Sequence, residues 1–378
     1  MHKIYTHLGS YSDWVSEAQR QSSLYPLAEP GLATRQKLLE VLGFTGGGEQ
    51  PQAVENGKRW VKDGVAGQAI SWWVGYGPRT QAWLLRPANN TQPLPGILAL
   101  HDHGGFKFYG KEKIADGPQA PTSAQSNHWQ SGYGGRAFVN ALARCGFTVL
   151  VHDTFLWGSR RFPLEDIPLQ DRMHGEHLIE ARKLEGEQID EIATYNAVTG
   201  FHEHTVEKYC NLLGTTLAGV VSHEDRIALN YLESRPDVIA DRLGCIGLSG
   251  GGNRSALLLA TSERIKAAVI VGLMSTYPGL LDHNVISHTW MFFPSGWARF
   301  GDWPDIAASR APMPLFVQFD QEDDLFTPVG MQAAHERIAS HYQKFGNPQA
   351  YNGQFYPGPH KFDIEMQNIA FDWLSSNL

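Results

Sequence analysis

At 378 residues the chain can bury about three-quarters of the surface its unfolded form exposes, so it needs no disulfide or metal staple. Its 39 acidic residues outnumber 31 basic ones, giving a formal net charge of −8, and basic clusters such as Arg160–Arg161 stop at two residues. That balance excludes a phosphate-backbone partner, which would need a basic stripe.

Three cysteines, Cys145, Cys210 and Cys245, with no C-x-x-C spacing, argue against a disulfide framework or a zinc site. The first residues contain no apolar core of a secretory leader, and no run approaches the roughly 18 apolar residues of a membrane span. The expectation is a cytoplasmic protein without a membrane segment.

Up to Phe44 the pattern is helical: Leu32, Leu38, Leu39 and Leu42 are expected on one face, with Gly43 and the Gly46–Gly48 run as the stop. From Lys58 to Arg86 the signal turns to strands. Val65–Val74 and Thr80–Leu85 flank the turn residues Gly75–Pro78, which predicts an antiparallel hairpin ahead of the main sheet.

Short apolar runs then alternate with helical segments: Gly96–Leu100, Phe147–Val151, Leu243–Leu248, Ala267–Leu273 and Leu315–Phe319. Runs of this kind, bounded by Gly, Pro or Asp, suit parallel strands covered on both faces. Between them, Ser222 with Asp225 reads as a capping box for a helix carrying Ile227 and Tyr231. Ala334, Ile338 and Tyr342 mark another helix, ended by Gly346. The fold class is therefore α/β, a mostly parallel doubly wound sheet. Residues 1–55 are expected to form a helical extension and 56–378 one catalytic domain. Segments 154–209 and 275–303 break the alternation after strand ends and are read as insertions roofing a site, with surface decoration or a dimer contact as the alternative.

Gly247-Leu248-Ser249-Gly250-Gly251 lies directly after an apolar strand and before the helical run Ser255–Ala260. A serine on so tight a strand-to-helix turn is exposed above the sheet, and glycines on both sides relieve its crowding. Ser249 is the candidate nucleophile, and the Gly250 N–H a candidate oxyanion donor. A hydroxyl needs a base. His360, in the Pro/Gly loop Tyr356–Phe362, is the candidate, because the partners of such a serine follow in the order acid, then histidine.

The acid should follow Leu315–Phe319, within Asp320-Gln321-Glu322-Asp323-Asp324. Asp320 is too near the strand; Asp323 is preferred, with Asp324 as the alternative. The loop His101-Asp102-His103-Gly104-Gly105 should supply the second oxyanion donor, the His103 N–H, with Gly104 next. His101/His103 and His202/His204 also raise metal binding. Neither pair has a third ligand at suitable spacing, and alternate residues on a helix do not face each other, so no metal is assigned.

Leu100–Gly105 with Gly110-Lys111-Glu112-Lys113, Gly247–Gly252, Pro304–Ala308 and Ala311–Leu315 together resemble the dienelactone-hydrolase-like, acetyl-xylan-esterase-like group of the α/β-hydrolase superfamily. The resemblance runs from about Gly96 to the C-terminus. It implies a serine esterase without a cofactor and, through Pro314–Phe316 and Leu325–Phe326, an acid at Asp323. Asp102 stands where that group usually has glycine, and Met313 where arginine is common.

The expected substrate is a small-molecule or sugar ester. Arg160 is a candidate for holding a carboxylate and Trp290 for stacking on a sugar or aromatic ring, against a salt bridge and core packing respectively. A homo-oligomer stays open. The alternative functions are amide or C–C bond hydrolysis with the same triad, or an inactive binding protein on this scaffold.

Overall fold

The computed structural model describes residues 3–44 and 49–378; the Gly46–Gly48 stop lies outside the described residues. Helix α1 (Asp13–Gln21) buries no residue, whereas α2 (Leu32–Leu42) docks through Leu38 and Leu42. Leu32, expected on the same face, is 61% exposed, because the helix starts at that residue and only its later turns reach the core. Gly43, at φ 69°, adopts the left-handed conformation that ends helices.

Nine strands form one sheet: β1 (Gln52–Lys62), β2 (Val65–Trp73), β3 (Thr80–Pro87), β4 (Leu94–Ala99), β5 (Thr148–His152), β6 (Val238–Leu248), β7 (Ile265–Val271), β8 (Leu315–Asp320) and β9 (Tyr351–Tyr356). Their order is β1-β2-β3-β5-β4-β6-β7-β8-β9. The pairings from β1 to β5 are antiparallel and the rest parallel. Every residue of β5 and β8 is buried, as apolar strands covered on both faces should be.

Two strands exceed their sequence-based bounds. β1 starts at Gln52, not Lys58, and so takes in the end of the segment read as a helical extension. Its residues Gln52–Arg59 are all exposed, leaving no burial alternation to detect. β6 starts at Val238, and its exposed stretch Ala240–Arg242 hid the first half.

Helices α3 (Ser123–Gly132) and α4 (Phe138–Arg144) connect β4 to β5. Helices α5 (Leu169–Leu184), α6 (Glu191–Leu212) and α7 (Leu217–Glu233) connect β5 to β6, and α8 (Gly250–Thr261) connects β6 to β7. Then come α9 (Trp303–Ala308) before β8, α10 (Pro328–Lys344) before β9, and α11 (Ile364–Asn377) last. One core lies under α2, α7, α8 and α10, the other under α4 and α11.

The Ser222/Asp225 capping box is not formed. α7 begins a turn and a half earlier, at Leu217, where the Thr216 side chain accepts the Gly219 N–H. The apolar stretch Leu217–Val221 extends the helix, and Asp225 becomes a buried partner of Arg254 and His152.

Segment 154–209 holds the antiparallel α5/α6 hairpin. Segment 275–303 is a series of single 3₁₀ turns, in which Phe292 and Trp297 are fully buried. Most of its aromatic content is therefore core. Among the described residues no helix is long and apolar enough to cross a membrane.

Candidate active site

The apolar run of β6 ends at Leu248, and α8 starts at Gly250, so Ser249 is the whole turn. It sits at φ 57°, ψ −123°, a conformation that costs a non-glycine residue about 1–3 kcal/mol and persists only when its surroundings enforce it. Backbone bonds do so here: Ser249 N–H donates to Val271 O at 2.9 Å, and Asn253 N–H donates to Ser249 O at 2.9 Å. The neighbouring glycines answer to the end of β4. A Cβ on Gly247 would lie 2.5 Å from the Leu100 carbonyl oxygen, and one on Gly251 2.0 Å from it.

His360 occupies the loop between β9 and α11. Its Nδ1 is 2.6 Å from Asp323 Oδ2, which leaves Nε2 as the free ring nitrogen. Asp323 itself is buried in the loop after β8 and accepts the Leu325 N–H at 2.9 Å. Asp324 is exposed and uses only its carbonyl, toward His283 and Asn284. Asp320 accepts the Lys361 N–H at 3.1 Å. Burial pushes the Asp320 carboxyl up to about 7. Burial pulls the other way on His360, but its hydrogen bond to Asp323, with the charges of Asp323 and Asp320, raises it above the ordinary imidazole value.

Ser249 and His360 line one cavity of about 380 Å³, together with His103, Gly250, Leu273 and His288. The backbones of His103 and Gly250 approach closely there: a Cβ on Gly250 would fall 2.5 Å from His103 N. Among the described residues neither N–H donates to a protein acceptor. The loop's carbonyls are tied back instead. Arg254 Nη1 donates to His101 O at 3.1 Å, and Lys113 Nζ to Asp102 O at 2.6 Å and His103 O at 2.9 Å.

Asp102, the departure from the resembled pattern, pairs with buried Lys113 at 2.7 Å and accepts from Tyr133 Oη at 2.5 Å; His128 Nε2 lies 3.1 Å away. Burial works against its charge, yet Lys113 and then His128 hold its carboxyl well below the usual range.

The other candidates lie outside this cluster. Arg160 is 3% exposed, and its guanidinium is taken up by Glu224 on α7 (Nε to Oε2, 3.2 Å) and by the carbonyls of Tyr76 and Pro78. It is a buried strut and does not face the cavity. Trp290 is 37% exposed and directs its indole N–H to His204 Nδ1 at 2.9 Å, joining the second insertion to α6.

Of the ring nitrogens considered for metal binding, His101 Nδ1 lies 3.0 Å from Asp102 O, His103 Nε2 2.7 Å from Glu203, and His204 Nδ1 accepts from Trp290, whereas His101 Nε2 is buried with no partner among the described residues. Asp320, Asp323 and His360 bring donor atoms within 4.8 Å of one another, an arrangement that the Asp323–His360 hydrogen bond and the Lys361 N–H bond to Asp320 explain.

Sequence reasoning missed Lys113, His128, Tyr133, Glu203, Lys107, His288 and Thr289. For Lys113 a signal existed in Gly110–Lys113, part of the family resemblance. His288, pushed down to about 4 by burial and bonded to Leu325 O at 3.0 Å, is a neutral hydrogen-bonding wall of the cavity.

No protein-family model matches the chain. The "Putative hydrolase YtaP" of Bacillus subtilis (strain 168) is 22% identical over 274 residues, 72% of this chain and 75% of that protein. Among solved structures, the "putative acetyl xylan esterase (BF1801)" of Bacteroides fragilis NCTC 9343 superposes with a TM-score of 0.62 at 17% identity, over 92% of this chain and 82% of that one. Methylesterase BT1017 gives a TM-score of 0.59 at 15% identity over 91% of this chain, which spans 62% of that chain's length. With the sheet order and the strand–Ser249–helix turn, these superpositions show that the chain has the α/β-hydrolase fold.

Proposed function

We propose that the protein is a serine esterase that cleaves a carboxylic ester through an acyl-enzyme on Ser249. The observation that carries this reading is the Asp323–His360 bond of 2.6 Å beside a serine held at φ 57° in the same cavity. His360 Nε2 takes the Ser249 proton as Oγ attacks the ester carbonyl. Asp323 fixes the tautomer and stabilises the imidazolium, and the alcohol leaves with the proton from His360. Water, deprotonated by His360, then attacks the acyl-enzyme and frees Ser249. The N–H groups of His103 and Gly250 hold the oxyanion at each addition; removing one such donor typically costs about 10²–10³ in turnover.

The cavity is within the range for small-molecule sites, roughly 300–1,000 Å³, and its Leu248, Leu273 and Leu325 walls suit a short acyl group beside polar His128, Ser131 and Thr289. The methylesterase and acetyl xylan esterase among the structural neighbours support a small-molecule or carbohydrate ester. Three unpaired cysteines fit a reducing compartment, the cytoplasm.

The test is hydrolysis of p-nitrophenyl esters, acetate through octanoate, by wild type and Ser249→Ala. Activity on the short esters, abolished in a folded mutant, is the expected result. A wild type that neither hydrolyses any ester nor reacts with a fluorophosphonate probe would sink the reading.

A further inference from the structure

The two stretches that first suggested metal binding, His101-Asp102-His103 and His202-Glu203-His204, meet in the structure, and what joins them is a carboxylate. Glu203, on α6 and 5% exposed, places Oε2 2.7 Å from His103 Nε2 and 2.5 Å from Lys107 Nζ. Its Oε1 accepts from Thr289 Oγ1 at 2.8 Å and from the Trp290 N–H at 3.3 Å. One buried side chain thus bonds the oxyanion loop, the first insertion and the second.

The His103 ring is defined by these contacts. Its Nδ1 accepts the Gly105 N–H at 3.1 Å, so the ring proton resides on Nε2 and is donated to Glu203. The residues that follow are Gly104 at φ 56° and Gly105 at φ 61°, which bring no side chain of their own to restrain the turn. The His103 peptide is therefore anchored through its ring on one side, and on the other through the Lys113 bonds to Asp102 O and His103 O and the Phe106 N–H donated to His103 O at 3.1 Å.

We propose that Glu203 is a positioning residue for the oxyanion hole: it holds the His103 N–H toward the reacting carbonyl, and both insertions must be seated for it to do so. Glu203 is not among the residues that line the cavity. It acts through His103, and the inference rests on the esterase reading. Because Lys113 still restrains the loop when Glu203 is lost, the cost should be smaller than loss of a donor outright.

The experiment is steady-state kinetics on p-nitrophenyl acetate, with fluorophosphonate labelling rates, for Glu203→Ala and Glu203→Gln, each checked for folding by circular dichroism. Glu203→Ala is expected to lower kcat by about 10- to 10²-fold, below the cost of deleting a donor, with KM within about threefold of wild type. Glu203→Gln keeps an acceptor for the ring but loses the charge, and should recover part of the loss, ending about three- to tenfold down. Active enzyme is counted by fluorophosphonate titration: a purely structural role lowers the reactive fraction and leaves kcat per active site at the wild-type value, whereas a positioning role lowers kcat per active site. A folded Glu203→Ala with wild-type kcat, or with a loss confined to KM, overturns the proposal. If the alanine variant does not fold, wild-type kcat in Glu203→Gln overturns it equally. An ester activity abolished by Ser249→Ala but untouched at Glu203 refutes this inference alone; an inert, unlabelled wild type refutes the esterase reading and this inference with it.

Discussion

Replacing Gly251 by alanine puts a methyl carbon 2.0 Å from the Leu100 carbonyl oxygen and 2.9 Å from its carbon. Both are backbone atoms at the end of β4, so no side chain can swing aside. To regain an ordinary contact of 3.4 Å, the start of α8 and the β4 end must separate by about 1.4 Å, and those two segments carry Ser249, the Gly250 N–H and the loop to the His103 N–H. A misplacement of that size costs on the order of 10²-fold in rate, while the overpacking itself costs about 1–3 kcal/mol of stability. Gly200→Ala is the control. That glycine is in α6 with nothing within 4 Å of the added methyl, and alanine there should stabilise by up to about 1 kcal/mol with kcat unchanged. Thermal melts and kcat on p-nitrophenyl acetate for both variants give the comparison. A Gly251→Ala enzyme with wild-type turnover and melting temperature would mean that the two donors do not depend on this approach.

Asp323→Asn leaves the shape of the loop but presents the wrong hydrogen-bonding pattern to His360 Nδ1, so kcat at pH 8 should fall by about 10³–10⁴-fold; a loss under tenfold would favour another acid. Glu224→Gln leaves the Arg160 guanidinium buried without its anion and should cost about 3–5 kcal/mol in urea titration, with kcat of the folded enzyme retained, since Arg160 does not face the cavity; an unchanged midpoint would refute the strut role. Activity requires neutral His360, so the rate should fall as pH drops through its raised pKa. Asp320→Asn removes a neighbouring carboxyl that is ionised above about pH 7. With that anion gone the imidazolium loses support, the His360 pKa falls, and the acid limb of the kcat/KM profile moves to lower pH; a limb that stays put or moves up contradicts the geometry.

What was legible in the sequence is what has a local cause. The buried parallel strands announce themselves as apolar runs between breakers, and Ser249 is marked by glycines that its own turn requires. The edge strand β1 has no such cause: its exposed residues obey no burial pattern, so only its last part, near Trp60, could be read. The insertions were legible as breaks in the alternation, with some helical periodicity in the first, but not the division of that one into α5 and α6 or the 3₁₀ turns in the other. Asp323 and Asp324 are adjacent in sequence and differ in where the loop turns them, one under His360 and one into solvent. Arg160 shows the converse failure, for a buried arginine and a surface one read alike until the partner, 64 residues away, is known. Glu203 and His103, 100 residues apart, left no periodicity for the same reason.

Those non-local pairs share a pattern around the oxyanion loop. Arg254, Lys113 and Lys107 each donate to a backbone carbonyl in or beside the site, at His101, at Asp102 and His103, and at Thr199. Each also has a buried acid of its own: Asp225, Asp102 and Glu203. Buried ion pairs are poor sources of stability, since desolvation offsets most of their attraction. What the first two of them provide at the loop is direction. Arg254 and Lys113 take up the carbonyls of His101, Asp102 and His103, while the His103 N–H keeps no protein acceptor among the described residues, and the paired acids Asp225 and Asp102 balance the two cations. A preorganised set of donors with little net local charge is what stabilises an oxyanion that exists only during the reaction. On this argument the acid at position 102 belongs with Lys113 as a unit, and exchanging either alone disturbs the donors more than exchanging both.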